Sequence, residues 1–130
     1  NQLSNLRIIV LDTLIFFLYT CKMGYVYLLC QVDAVGQETF KIGISKNDPA
    51  IRLKNLQTGN PNKISVLKQY ESENYKNVEK MLHRKYQSNK TLADNEWFLL
   101  SNEDVNYFIF ECEKANSMII FLKENNHFCK

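Results

Sequence analysis

Seven polar side chains that could take part in catalysis or binding stand among apolar residues in the first hundred positions of the sequence. They are Tyr25, Tyr27, Lys41, Arg52, Glu79, His83 and Glu96. The two tyrosines lie in the run GYVYLL and the lysine in the run FKIGIS, where valine, isoleucine or leucine would fill a core more simply. Their positions make them candidates for a functional site.

Glu79, His83 and Tyr86 are spaced at i, i+4 and i+7, which places them on one face of a helix. A carboxylate on such a face could bind a divalent metal through one oxygen, with water and a substrate phosphate completing the coordination. An ordinary exposed glutamate is the other interpretation, and taken alone it is the commoner one. Arg52 as a surface residue and His83 as a structural residue are likewise open alternatives.

Several common sites are absent from the sequence. It has no GxGxxG or GxxxxGK[ST] loop, no GxSxG or HExxH motif and no CxxC pair, so we expect no small-molecule cofactor. The cysteines are scattered, which favours free thiols in a reducing compartment, cytoplasmic or nuclear. They are Cys21, Cys30, Cys112 and Cys129, and the last forms only an isolated HxC pattern with His127.

Basic residues are concentrated in the middle of the chain. Residues 41–90 contain eleven lysines and arginines against four aspartates and glutamates, although the net charge of the chain is only +2. Such clustering attracts polyanions, of which nucleic acid is the usual one. A solvated, lysine-rich surface with no ligand is the alternative.

Hydrophobic periodicity and turn signals predict the elements that must position these residues. Strands are predicted at 24–30, 39–45, 63–70 and 96–100, and helices at 49–57, 73–88 and from 101 to about 123. Asp48 and Pro49 begin the first helix, and Val78, Met81, Leu82 and Lys85 form the inward stripe of the second. The order β-β-α-β-α-β-α predicts a small α/β (α+β) domain, with a mixed or antiparallel sheet of three to four strands flanked by helices.

The first 22 residues form an apolar extension whose status the sequence leaves open. The run LRIIVLDTLIFFLYT is shorter than the about 20 apolar residues of a transmembrane helix, and Asp12 interrupts it, so we expect no membrane span. It also lacks a good signal-peptide cleavage site. Either Met23 is the natural start, or the extension packs on the domain or on a partner chain.

Five short motifs follow one another in an order that resembles a known family. They are GYVYLL, FKIGIS, Arg52-Leu53 with LQTGNP, VEKMLH and NEWFLL. Together they resemble the GIY-YIG nuclease superfamily, in the branch of phages, bacteria and large DNA viruses whose second signature is written KIG. The resemblance covers residues 24–100 and implies a nuclease domain at 23–100, with residues 101–130 as a C-terminal helix packed on it.

The resemblance implies hydrolysis of phosphodiester bonds with one divalent metal, Mg²⁺ or Mn²⁺, held by Glu79. Tyr27 would help to deprotonate the attacking water, Arg52 would stabilise charge on the phosphate, and His83 matches the histidine of E-x-x-L-H. An isolated tyrosine is a poor base at neutral pH, and Lys41 on the neighbouring strand would make its phenol more acidic. We therefore expect Tyr27 and Lys41 to face outward into a shared site, whereas Tyr25 can be ordinary packing.

The predicted function is that of a metal-dependent endonuclease acting on nucleic acid, with DNA favoured over RNA. Its predicted nucleic-acid contacts are Tyr25, Lys46, Lys54, Lys80, Arg84 and Asn95. No recognition domain is visible, so we expect little sequence specificity unless a homodimer or a separate partner supplies it. The alternatives are a catalytically silent DNA-binding or regulatory module that keeps the fold, and an assembly protein that oligomerises through residues 1–22.

Overall fold

The computed structural model of the chain describes residues 10–15, 22–91 and 97–125. Strands β1 (Gly24–Val32), β2 (Glu38–Ser45) and β3 (Lys63–Ser72) form an antiparallel sheet in the order β2-β1-β3. The predicted α/β class is confirmed, and so is the predicted hairpin between the first two strands. β1 lies in the centre and is covered on both faces, which explains why its sequence is nearly continuously apolar.

The helices surround this sheet. Residues 10–15 are helical and are called α1. The others are α2 (Pro49–Gln57), α3 (Tyr75–Lys85), the five-residue α4 (Asn102–Asn106) and α5 (Phe108–Asn125). The predicted starts of the first and last helices are confirmed, because the Asp48 side chain accepts a hydrogen bond from the Ala50 N–H at 3.0 Å and Ser101 forms a capping box with Asp104. The helix predicted at 73–88 is shorter, since α3 begins at Tyr75 and ends at Lys85.

The two faces of β1 support separate apolar clusters. Val26, Leu28 and Cys30 point to the larger cluster, which is closed by α3 and α5. Tyr27 and Leu29 point to the opposite face, where Leu53 and Leu56 of α2 cover them. Alternation of side chains along a strand therefore separates the two tyrosines of GYVYLL from the main core.

The predicted fourth strand is wrong for the described residues 97–100. Only Phe98 pairs there, through single bridges to Phe40 and to Lys90. The final predicted helix is also divided, because the chain leaves helical geometry at Tyr107 between α4 and α5.

Two predictions on α3 need correction. Lys85 does not belong to the inward stripe, since its side chain is 44% exposed and its Nζ lies 3.2 Å from Glu111 Oε2 on α5. Tyr86 does not share the polar face with Glu79 and His83 but is buried in the larger cluster. The reason is that Tyr86 follows Val78 and Leu82 at i+8 and i+4, so it continues the row of α3 side chains that packs into the larger cluster.

The apolar side chains of α1 lie outside the core of the described fold. Val10, Leu11, Leu14 and Ile15 are exposed. No helix within the described ranges is both long and apolar enough to cross a bilayer. Cys30 and Cys112 are buried free thiols. Several residues singled out from the sequence lie outside the described residues, namely Cys21, Asn95, Glu96, His127 and Cys129.

Candidate functional site at the open edge of β2

Two contacts cover part of the outer edge of β2. At one end, the Phe40 N–H donates to the Phe98 carbonyl at 2.9 Å and the Phe98 N–H donates back at 2.7 Å. Because hydrogen bonding alternates along an antiparallel strand, Ile42 also directs its backbone groups outward. His83 Nε2 lies 3.0 Å from the Ile42 oxygen. A carbonyl only accepts, so Nε2 carries the hydrogen and donates it.

Glu79 lies one turn before His83, on the same side of α3. His83 contacts Ile42, and Lys80 lines the same cleft as Lys46, so α3 runs antiparallel alongside β2. Glu79, one residue before Lys80, therefore lies towards the end of β2 that Lys46 follows. Its carboxylate is half-buried, and this burial raises its pKa, while interaction with His83 and then with Lys80 partly opposes the rise.

Tyr27 approaches the same stretch from the opposite face of the sheet. It pairs with Gly43 across the β1–β2 ladder. A Cβ atom at position 43 would lie 2.5 Å from both Cζ and Oη of Tyr27, which is closer than real atoms come. Because Gly43 of the FKIGIS motif has no side chain, it leaves room for the phenol of Tyr27 to cross over β2.

The ring of Tyr27 is buried, contrary to the expectation of an outward-facing side chain, and the residue is only 3% exposed. Its hydroxyl is the exception. Across the described part of the chain, no buried side-chain oxygen or nitrogen lacks a hydrogen-bond partner, yet the Tyr27 hydroxyl forms no hydrogen bond there. The hydroxyl is therefore not fully enclosed by protein.

Lys41 shares the sheet face of Tyr27. It pairs with Leu29, which makes it the diagonal neighbour of Tyr27, and such neighbours are about 7–8 Å apart. Its Nζ lies 5.9 Å from the centre of the Trp97 ring. Trp97 was not singled out from the sequence, although its place in the NEWFLL motif was a signal. The cation and the phenol are thus close on one surface.

Arg52 is less directly connected to this group. Its side chain is exposed on α2, one turn before Leu56, which packs beside Tyr27. It therefore borders the packed face of α2 without belonging to it.

The predicted nucleic-acid contacts that the structure describes are spread over β1, the end of β2, α2 and α3. Tyr25 is half-buried on the sheet face of Tyr27, and Lys46 is exposed directly after β2. Lys54 is exposed on α2, while Lys80 and Arg84 are exposed on α3 beside Glu79 and His83.

The donor set fits a divalent metal that is shared with substrate rather than enclosed by protein. Among the described residues no group of three or more histidines, cysteines, aspartates or glutamates could hold a metal. Glu79 offers one half-buried carboxylate. Mg²⁺ typically binds through one or two carboxylates, with waters and substrate phosphates as further ligands, and this chemistry matches a lone carboxylate at an open edge.

Comparison with known proteins identifies the family to which the chain belongs. The sequence model of the family described as the T5orf172 domain matches residues 24–113, which is more than half of the chain. No curated protein and no solved structure matches the chain significantly. The matched residues include all three strands, α2, α3 and the start of α5. The chain belongs to the T5orf172 domain family, a nuclease-like family associated with phages.

Proposed function

We propose that this chain is a divalent-metal-dependent endonuclease of the GIY-YIG type, with KIG as its second signature, and that DNA is its preferred substrate over RNA. One observation supports this most strongly. The phenol of a buried tyrosine lies over Gly43 of β2, and a half-buried carboxylate lies on α3, the helix that His83 joins to the same strand. An acid–base group and a metal ligand at one edge are what hydrolysis of a phosphodiester requires.

Each residue has a distinct role in the proposed reaction. Tyr27 accepts the proton of the attacking water as general base, and the ammonium group of Lys41 on the same sheet face adds positive charge beside the phosphate. Arg52 stabilises the negative charge that develops on the phosphoryl oxygens. Glu79 would hold Mg²⁺ or Mn²⁺, which when bound supplies further positive charge to the phosphate and makes water more acidic. His83 fixes α3 against β2 through Ile42, and so positions Glu79.

Cleavage of supercoiled plasmid with Mg²⁺, with Mn²⁺ and with chelator tests this proposal. We expect cutting that needs the metal and that Glu79→Gln abolishes. Glu113→Gln, on the exposed side of α5, is the matched control and should cut like the wild type. Cutting that survives unchanged in Glu79→Gln contradicts the mechanism.

Tyr27→Phe isolates the hydroxyl, because phenylalanine keeps the buried ring. We expect cutting to fall by about 10²–10⁴-fold, the usual contribution of a general base, while DNA binding and thermal stability are retained. Metal-independent DNA binding by a wild-type protein that never cuts would instead favour a catalytically silent DNA-binding module.

The proposed enzyme has little sequence specificity of its own. Its candidate contacts are mostly lysine and arginine side chains, which suit phosphates rather than base edges. A second copy of the chain or a separate partner would then supply target recognition.

A further inference from the structure

An open cleft of about 600 Å³ lies against the first half of α3, next to the edge of β2. Its lining contains five lysines and a single acidic residue, Glu73. The lysines come from distant parts of the sequence: Lys22, Lys46, Lys76, Lys80 and Lys123. Folding therefore brings together like charges that the sequence keeps apart. This arrangement costs repulsion unless an anion is bound.

The cleft lysines form no ion pair at contact distance within the described residues, although Lys80 interacts with the charge of the neighbouring Glu79. By contrast, Lys85 on the other side of α3 pairs with Glu111. Lys76 lies beside an aromatic ring, with its Nζ 5.9 Å from the centre of the Tyr75 ring, and Lys85 lies beside the Tyr86 ring in the same way. Such a contact leaves the positive charge in place. The positive charge of the cleft thus remains available to a ligand.

Lys123 is held in place by a buried polar network. Its Nζ donates to the Oδ1 of Asn74, a residue that is only 3% exposed. The Nδ2 of Asn74 donates to Asn116 Oδ1 at 3.0 Å, and the Ser72 hydroxyl donates to the same oxygen at 2.8 Å. This network joins the end of β3, the start of α3 and α5. Asn74 is therefore a positioning residue for one of the cleft cations.

The cleft lies close to the candidate site along the chain, although Glu79 is not part of its lining. Lys80 follows Glu79 directly on α3, and Lys46 follows the last residue of β2. A chain of phosphates that lies in the cleft would pass Glu79 as it leaves. Lysine ammonium groups are mobile point charges that bind phosphates without reading bases.

We propose that this lysine cleft binds the phosphate backbone of the nucleic acid that flanks the scissile bond, through charge alone. The proposal rests on the proposed function for the position of that bond. It assigns roles to Lys22, Lys76 and Lys123, which were not among the predicted contacts.

Salt dependence of binding tests the cleft separately from catalysis. The affinity of the full chain for a fluorescent duplex of mixed sequence is measured by anisotropy in chelator, over a range of salt concentrations. Each phosphate contact contributes about 0.9 to the slope of log K against log salt. The double variant Lys76→Gln/Lys123→Gln should therefore lower the slope by about 2 and weaken binding, while the double arginine variant at these positions should keep the slope.

Lys63→Gln/Lys114→Gln removes the same charge from exposed lysines outside the cleft and should leave the slope nearly unchanged. An unchanged slope in the cleft variant, or an equal fall in this control, overturns the proposal. So does a cleft variant that loses binding to polyglutamate but not to the duplex, since an acidic protein would then be the ligand.

The two experiments distinguish a wrong proposal for the lysine cleft from a wrong proposal for the endonuclease. If the wild type cuts DNA but the cleft variant keeps the salt slope of the wild type, only the proposal for the cleft is wrong. Wild type that never cuts, but whose slope falls in the cleft variant, supports the cleft and rejects the proposed endonuclease.

Discussion

At the scale of single residues, the contact between Tyr27 and Gly43 determines how the site is built. The ring fills the apolar cluster under α2, and its polar end crosses β2 where position 43 has no side chain. Any larger residue at this position must displace the phenol. One glycine therefore supports both the packing of the ring and the passage of its hydroxyl over β2.

Gly43→Ala tests this contact. The added Cβ would overlap the phenol, and overpacking of this kind costs about 1–3 kcal/mol of unfolding free energy. In a Tyr27→Leu background the atoms that clash are absent, so the cost should be much smaller. Urea unfolding of the wild type, both single variants and the double variant gives the coupling energy.

Gly24→Ala is the matched control for this double-mutant cycle of Gly43 and Tyr27. A Cβ at position 24 would lie 2.6 Å from the ring of Tyr75, not of Tyr27. Its cost should be the same with tyrosine or leucine at position 27. A cost of Gly43→Ala that is equally unaffected by the Tyr27 substitution would show that the contact with the phenol is not its cause.

At the scale of elements, the contact between α3 and β2 at His83 and Ile42, called the seam, positions Glu79 as the candidate metal ligand. His83 joins the two elements by donating to the Ile42 carbonyl, and its ring packs edge-on against Phe98 with centroids 5.3 Å apart. This seam also protects an edge strand, whose unpaired backbone groups would otherwise remain open.

Substitution of His83 separates its two contacts. His83→Phe keeps a ring against Phe98 but leaves the Ile42 carbonyl without its donor, and we expect a loss of about 1–3 kcal/mol of unfolding free energy. His83→Gln keeps a donor and should lose less stability in the same urea titration. A smaller loss for phenylalanine than for glutamine would show that ring packing, rather than the hydrogen bond, holds α3 to β2.

At the scale of the whole molecule, the larger cluster joins the sheet to α3 and α5 and buries ionisable groups that must stay neutral. Burial raises the pKa of Tyr86 to about 12, with further contributions from Glu111 and Asp104. Burial likewise raises the pKa of Tyr70 to about 12, with Glu113 adding to the effect. The fully buried thiol of Cys112 behaves in the same way, with a pKa of about 12.

These shifts predict loss of stability in alkali. A group whose pKa is higher in the folded state stabilises the fold fully below its unfolded value, here about 10 for tyrosine. That contribution is lost as the pH rises through about 12. We expect Tyr86→Phe to reduce the alkaline fall in unfolding free energy, measured by urea titration at increasing pH.

Tyr107→Phe provides the control, because Tyr107 is exposed and its substitution should leave the alkaline limb unchanged. An alkaline limb that is identical in the wild type and Tyr86→Phe would exclude Tyr86 as a source of the pH dependence.

The sequence by itself determined the features that depend on neighbouring residues. Asp48 and Ser101 begin helices because each caps backbone N–H groups within three positions. The strands were predictable because their apolar residues alternate or run continuously, and the motif spacing placed Glu79 one turn from His83. Local chemistry is sufficient for all of these.

Only the tertiary structure decided the features that depend on contacts between distant segments. The sequence could not show that Gly43 makes space for the Tyr27 phenol, or that Phe98 makes a bridge instead of a strand. Nor could it place Lys123 beside Lys76. In each case the position of one side chain is set by packing or hydrogen bonding with an element elsewhere in the chain, and local sequence does not encode that contact.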